Sequence, residues 1–129
     1  MTFDWSAYLK LAQELAGDDT GSPGEEAKLR SSVSRAYYAA FCKARNHLRD
    51  IDGHQILLAD PPKVNVHKYV RDEFKNSSDI SRKKIGNNLN RLRIHRNKAD
   101  YDDVVTGLPQ LTTASLKWTH DVISALNTL

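Results

Sequence analysis

The segment from Asn90 to Asp103, NRLRIHRNKADYDD, holds side chains that could bind or cleave a phosphate ester. Arginine binds phosphate through the planar fork of its guanidinium, and histidine can exchange protons near neutral pH. The stretch from Arg82 to Lys98 contains seven of the nineteen Lys and Arg residues, whereas all sixteen Asp and Glu residues lie elsewhere. Such clustering indicates either a surface that binds a polyanion or a solvated helix face, and charge alone does not separate the two.

Arg96 occupies a position that the helical pattern assigns to the core. A helix is predicted from Asp79 to about Tyr101, and its apolar stripe consists of Ile85, Leu89, Leu92 and Ala99, with Arg96 in the remaining place. Burying an unpaired guanidinium is costly, so Arg96 needs a partner. Two interpretations stay open: a buried ion pair that fixes helix register, or a cleft residue that binds phosphate with Asn97 and Tyr101 beside it.

Further polar residues of the same helix are candidates for contacts with nucleic acid. They are Arg91, Arg93, His95 and Lys98. His95 falls at the edge of the apolar stripe, where a half-exposed residue is a better expectation than a catalyst. Asp100, Asp102 and Asp103 lie near the helix C-terminus and oppose the helix dipole, so we expect them to have cationic partners.

The apolar residues of the whole chain recur with helical spacing, and no segment alternates with the period of a strand. Helices are predicted within the segments 3–17, 25–51, 65–77, 79–101 and 107–129, and Pro109 is expected as the first helical residue of the last segment. Turn-forming residues at 17–25 and the prolines at 61 and 62 indicate connections. The sequence therefore predicts one all-α domain, residues 1–129, that folds as a bundle of about five helices.

The second predicted helix carries two features that bear on packing. Ala36, Ala40 and Ala44 lie four residues apart and would allow another helix to approach closely. Tyr38 points away from the apolar face of this helix. It is either a lone exposed aromatic residue or part of a second buried surface such as a subunit contact.

Composition excludes several other classes of protein. The net charge of +3 is only mildly basic, and no apolar run approaches the roughly 20 residues of a membrane span. The N-terminus lacks the pattern of a secretory signal, and the single Cys42 fits a reducing cytoplasm. There is no Gly-rich phosphate loop, HExxH or CxxC, and the five histidines have no paired metal spacing, so we expect neither metal nor cofactor.

Two sequence blocks resemble the HEPN superfamily of helical domains. The blocks are SRAYYAAFCKAR at residues 34–45 and LNRLRIHRNKADYDD at residues 89–103, and they are similar to the SRAYYA and RNxADYD blocks of small prokaryotic members. The resemblance covers most of the chain. It implies a bundle of four to five helices, usually a homodimer, in which the Arg-bearing helices of two subunits face each other across a cleft.

The resemblance also implies a function. Many HEPN members are metal-independent ribonucleases, often toxins or defence effectors encoded beside a nucleotidyltransferase partner. Their motif is an Arg, a polar residue, a few variable positions and a His. Arg96 and Asn97 match its beginning, Tyr101 occupies the place expected for His, and His67 matches a His often found in similar sequences.

The tyrosine in place of the motif histidine leaves the activity open. In the implied mechanism a His exchanges protons while Arg stabilises charge on phosphorus, and Tyr is a poor base at neutral pH. The resemblance therefore implies a domain that binds RNA or a nucleotide, with or without ribonuclease activity. The alternatives are a non-catalytic module that pairs with a nucleotidyltransferase and a purely structural helical dimer.

Overall fold

The computed structural model describes residues 2–17 and 23–129, and these residues form a helical bundle. The helices are α1 (Ser6–Ala16), α2 (Pro23–Asn46), α3 (Val66–Lys75), α4 (Ile80–Tyr101) and α5 (Leu108–Asn127). No strand occurs in the described part of the chain. The prediction of an all-α bundle of five helices is confirmed, while most of the predicted loop at 17–25 lies outside the described residues.

The central helix α2 packs against α1, α4 and α5. Ala36, Ala40 and Ala44 are fully buried, as their spacing predicts. The close approach of α5 is visible at Thr119, whose hydroxyl donates a hydrogen bond of 2.9 Å to the carbonyl oxygen of Ala36. Small side chains on α2 thus bring its backbone within reach of a neighbouring helix.

One apolar core joins four of the helices. Its members from α2 and the turn after it include Phe41 and Leu48, and those from the other helices include Val70, Phe74, Ile85, Leu89, Leu92 and Val122. Burial of each such side chain stabilises the fold by about 1.5–3 kcal/mol. The predicted stripe of α4 is buried as expected.

Helix α2 ends in a widened turn. Residues His47–Ile51 form a π-helical turn, and Gly53 then takes a left-handed conformation with φ of 76°. The N–H of His54 donates to the carbonyl oxygen of Leu48 at 2.9 Å and closes this end. The chain continues through a 3₁₀ turn at Gln55–Leu58 and the two prolines, so the predicted connection before α3 is confirmed.

Arg30 of α2 holds the end of α4 in place. Its Nη1 donates to the carbonyl oxygens of Ala99 at 3.0 Å and Asp102 at 2.6 Å, and its Nη2 donates to that of Asp103 at 3.2 Å. The cation near Asp102 and Asp103 is therefore Arg30, which contacts their backbone rather than their carboxylates. The cation nearest Asp100 is Arg96, at 3.8 Å. This is a C-terminal cap that also complements the helix dipole.

Helix α5 begins one residue earlier than predicted. Gly107 precedes it with φ of 70°, and Leu108 is the first helical residue, so Pro109 is the second rather than the first. Proline is tolerated there because the first-turn N–H groups lack helical partners in any case. Across the described residues, no helix combines the length and the apolar character needed to cross a bilayer.

Candidate functional site

The guanidinium of Arg96 lies against tyrosine rings rather than in a close ion pair. Its carbon Cζ is 5.0 Å from the ring centroid of Tyr37 and 5.7 Å from that of Tyr38. The side chain is 15% exposed, and Nη1 is 3.8 Å from Oδ2 of Asp100, which is too long for a hydrogen bond. The buried Nε has no hydrogen-bond partner among the described residues. Arg96 therefore retains unused donor capacity.

Beside Arg96, Tyr37 and His67 form a hydrogen-bonded pair. The Tyr37 hydroxyl is 2.6 Å from Nδ1 of His67, and the His67 ring stacks on Phe41 with centroids 4.0 Å apart. Burial raises the pKa of Tyr37 to about 12. Burial, reinforced by the positive charge of Arg96 and Arg71, lowers the pKa of His67 below its ordinary value. At neutral pH the tyrosine is protonated and the histidine is neutral.

The neutral His67 ring has two uses, depending on which nitrogen carries its proton. If Nδ1 is protonated and donates to the Tyr37 oxygen, Nε2 is an unprotonated base. If the Tyr37 hydroxyl donates to Nδ1, Nε2 carries the proton and can donate to a phosphate oxygen. Nε2 of His67 is therefore either a proton acceptor or a hydrogen-bond donor next to Arg96.

Tyr38 and Arg35 extend this cluster along α2. The Arg35 guanidinium lies 5.1 Å from the ring centroid of Tyr8 and 5.9 Å from that of Tyr38. Tyr38 also contacts His67, with centroids 6.2 Å apart, so it is not a lone exposed aromatic residue. We call the surface formed by Arg35, Tyr37, Tyr38, His67 and Arg96 the arginine–tyrosine face.

Two more arginines lie at the margins of the arginine–tyrosine face. Arg45 lies 5.6 Å from the ring centroid of Trp5, and its positive charge lowers the pKa of His67. Arg71 acts on the pKa values of both Tyr37 and His67. Alternating cations and aromatic rings of this kind are typical of surfaces that bind single-stranded nucleic acid.

The positive charge of this face is largely uncompensated. Among the described residues, no carboxylate pairs with Arg35, Arg45 or Arg71, and the contact of Arg96 with Asp100 is long. Two arginines elsewhere do have close carboxylate partners: Arg49 is 2.7 Å from Asp50, and Arg82 is 2.7 Å from Asp52. Uncompensated arginines concentrated on one surface attract anions.

Asn97 and Tyr101, the other two predicted site residues of α4, do not take part in the contacts that Arg96 makes with the tyrosine rings. Asn97 is half-buried and follows Arg96 on α4. The Tyr101 residue is 73% exposed. Tyr101 follows Arg96 by five residues, which on an α-helix correspond to a rotation of about 500°, or about 140° beyond one full turn. Tyr101 therefore points to another side of α4. The structure brings Arg96 and His67 together around Tyr37 and leaves Tyr101 outside this group.

The four predicted nucleic-acid contacts divide between two sides of α4. Arg93 donates to Asn90 at 3.1 Å, has a buried Nε without a partner among the described residues, and acts on the pKa of Tyr37. His95 instead lies 3.1 Å from the Ser115 hydroxyl, on α5, and burial lowers its pKa. The remaining pair, Arg91 and Lys98, is exposed. Only Arg93 thus adjoins the arginine–tyrosine face.

Sequence reasoning did not single out Arg35, Tyr37, Arg45 or Arg71. A usable signal was present, because Arg35, Tyr38 and Arg45 are three and seven residues apart and so share one side of a helix. The contribution of α3 through Arg71 had no comparable signal, since the angle between α2 and α3 is set only by packing.

The site offers no ligand set for a metal. No group of three His, Cys, Asp or Glu side chains suited to a metal ion occurs among the described residues. Comparison of the chain with protein-family models, curated proteins and solved structures found no match. The function of the arginine–tyrosine face is therefore argued from its own chemistry.

Proposed function

We propose that this protein is a HEPN-like domain that binds RNA, or a nucleotide, at the arginine–tyrosine face. The observation that carries the proposal is the convergence of Arg35, Arg71 and Arg96 on tyrosine and histidine rings without a close carboxylate. Guanidinium groups bind phosphate oxygens, and the half-buried Tyr38 offers a ring on which a base can stack. The SRAYYA block, which supplies both tyrosines, supports the same assignment through the resemblance.

A second candidate function is metal-independent cleavage of the bound RNA, and the Tyr37–His67 pair favours it. A neutral His67 can take a proton from an RNA 2′-hydroxyl through an unprotonated Nε2, while Arg96 stabilises the charge that develops on phosphorus. The 2′-oxygen forms a bond to phosphorus as the bond from phosphorus to the 5′-oxygen breaks, and the leaving 5′-oxygen takes a proton from water or from the protonated His67. In this scheme His67 takes the place of the motif histidine, and Tyr101 has no part in proton transfer. The resemblance implies that such a ribonuclease would be of the toxin or defence type.

The proposal includes a homodimer in which two copies of Arg96 share one cleft, and it places the protein in the cytoplasm, which suits the buried free thiol of Cys42. If the face binds a protein instead, a nucleotidyltransferase is the partner that the resemblance names. Such a complex would use the same arginines to contact acidic side chains. An RNA titration therefore separates the two: RNA binding predicts a saturable signal, whereas protein binding predicts none.

Substitution of Arg96 by alanine tests the proposed binding. We expect Arg96→Ala to weaken binding of a fluorescently labelled RNA about tenfold to a hundredfold, because charge-assisted hydrogen bonds contribute about 1.5–3 kcal/mol. Binding by the wild type should weaken as salt rises, and the slope should be smaller in the variant. Fluorescence anisotropy over a salt series measures both quantities.

Arg49→Ala is the matched control, since Arg49 is already bonded to Asp50 at 2.7 and 3.0 Å. The control should bind RNA as the wild type does. Equal affinity of Arg96→Ala and wild type would remove the arginine–tyrosine face as the binding site. Cleavage is tested by incubating the same RNA with wild type, Arg96→Ala and His67→Gln. Intact RNA in all three samples would end the ribonuclease candidate while leaving binding in place.

A further inference from the structure

A second cationic and aromatic site lies on the other side of α4. A groove of about 340 Å³ runs between α4 and α5. Its α4 wall includes Lys84, Asn87, Asn88 and Arg91, and its α5 wall includes Lys117 and Trp118. The groove shares no residue with the arginine–tyrosine face.

Trp118 gives the groove a fixed aromatic surface. The indole is half-buried and packs against the apolar core. The His95 ring lies 4.8 Å from it, and His95 is held in turn by the Ser115 hydroxyl at 3.1 Å. The Arg91 guanidinium lies 5.7 Å from the Trp118 ring. A tryptophan held in this way is suited to stacking on a planar group, because little rotamer freedom is left to lose.

The positive charge of the groove is only partly compensated. Lys117 is 3.3 Å from Asp121, which is the one carboxylate among the lining residues. No described carboxylate pairs with Lys84 or Arg91. Arg91 donates at 3.0 Å to the side-chain oxygen of Asn88, which leaves other donors of the guanidinium free. The groove therefore combines two free cations, two side-chain amides and one aromatic ring.

We propose that the groove between α4 and α5 binds one unpaired nucleotide of a single-stranded RNA, with its base on Trp118 and its phosphate on Lys84 and Arg91. The choice of RNA as the partner rests on the proposed function, and the groove adds to it a second site that takes an unpaired nucleotide of the RNA. A base pair within a duplex presents its edges and not its face, so it cannot stack on Trp118. The amides of Asn87 and Asn88 can form hydrogen bonds with the exposed edge of the base.

Tryptophan fluorescence tests this site directly. In a Trp5→Phe protein Trp118 is the only tryptophan, because the chain has two. A short single-stranded RNA should quench its emission with a saturable dependence on concentration, whereas a duplex of the same length should not. Lys84→Ala/Arg91→Ala should weaken this binding about tenfold or more. The double variant Lys10→Ala/Lys63→Ala, which removes the same charge from other exposed positions, should leave it unchanged.

A second measurement avoids dependence on the Trp5 substitution. In the otherwise native chain, Trp118→Phe should weaken binding of labelled single-stranded RNA less than Trp118→Leu, because phenylalanine keeps an aromatic face. Thermal unfolding of each variant checks that the fold is retained. Equal binding by all three proteins would overturn the proposal.

The outcomes for the two sites can be told apart. Quenching of Trp118 emission that persists when Arg96→Ala is added to the Trp5→Phe protein supports the groove. This holds even if Arg96→Ala causes no loss of RNA affinity, a result that would remove the arginine–tyrosine face as a binding site. Quenching that disappears in Arg96→Ala but survives in Lys84→Ala/Arg91→Ala overturns the groove while the proposed function stands. Equal quenching by an acidic peptide would show a general response to anions and would also overturn it.

Discussion

The surroundings of Arg96 favour ligand binding over a structural ion pair. A buried ion pair repays the cost of removing both charges from water only with close, hydrogen-bonded geometry. Asp100 reaches Arg96 only to 3.8 Å, and its Oδ2 also accepts a hydrogen bond of 3.4 Å from the Ser34 hydroxyl. The Tyr37 and Tyr38 rings stabilise the cation in part without occupying its donors. The Nη donors of Arg96, rather than its buried Nε, are those that a phosphate would use.

His67 should make stability depend on pH in the mildly acidic range. Its pKa in the folded protein lies below the ordinary value of 6.5, chiefly because the ring is buried. The unfolded chain therefore takes up the proton first, and the free energy of unfolding falls as pH drops through about 6.5 towards the folded pKa. We expect His67→Gln to reduce this slope. Burial also lowers the pKa values of His47 and His95, so part of the slope should remain.

Urea unfolding at several pH values between about 7.5 and 5 measures this dependence, above the range in which carboxylates titrate. His120→Gln is the control, because its side chain is 68% exposed. The slope of stability against pH, rather than stability itself, is the quantity to compare. Identical slopes in wild type and His67→Gln would contradict the lowered pKa of His67 in the folded protein.

At the level of elements, the position of α3 depends on a glycine in α4. A Cβ added to Gly86 would lie 2.5 Å from Cα of Lys75 and closer still to its backbone nitrogen. Backbone atoms cannot move aside as a side chain can. Helices α3 and α4 therefore approach each other here so closely that only a glycine fits at position 86. This contact helps to hold His67 and Arg71 of α3 beside α4.

Gly86→Ala should destabilise the protein although alanine favours helix. The gain in helix propensity is at most about 1 kcal/mol, whereas overpacking costs about 1–3 kcal/mol, so we expect a net loss. RNA affinity should fall as well, because α3 must shift away from Arg96. Gly17→Ala is the control: its Cβ would lie 3.5 Å from the nearest atom, an ordinary contact. Thermal unfolding of both variants checks the difference, and a more stable Gly86→Ala protein would refute the close contact.

For the whole molecule, the distribution of charge matters more than its sum. A net charge of +3 gives weak long-range attraction to a polyanion. Local uncompensated arginines on one face give a stronger and more directional attraction. The same charges would oppose the proposed homodimer, because two arginine–tyrosine faces that met in it would repel each other.

We expect the proposed homodimer to strengthen as salt rises, since salt screens this repulsion, whereas the proposed RNA binding should weaken. Sedimentation equilibrium should give twice the chain mass of 14.6 kDa. Tyr38→Glu, on the face, should alter the association. Ile94→Glu, on the outward side of α4 and 40% exposed, should leave it unchanged. A species of 14.6 kDa at every salt and protein concentration would exclude the dimer.

The helices and their buried faces could be predicted from the amino-acid sequence alone. Apolar spacing in α2 and α4 located Ala36, Ala40, Ala44 and the stripe of α4, because burial of a helix face requires a period near 3.6. The same spacing revealed Arg96, since a cation within an apolar stripe conflicts with that pattern. Helix boundaries were harder to predict where backbone hydrogen bonding changes, as at the π-helical turn His47–Ile51 and the start of α5.

The surroundings of Arg96, in contrast, depend on how the helices pack in three dimensions. Tyr37, His67 and Arg71 come from two other helices, and their distances to Arg96 depend on crossing angles and on contacts such as Gly86 with Lys75. The sequence neighbours of Arg96 proved to be poor predictors of its neighbours in space. Successive residues of a helix point about 100° apart, and Tyr101 turns away from Arg96. Periodicity reports which side of a helix is buried, but it carries no information about which helix lies against it.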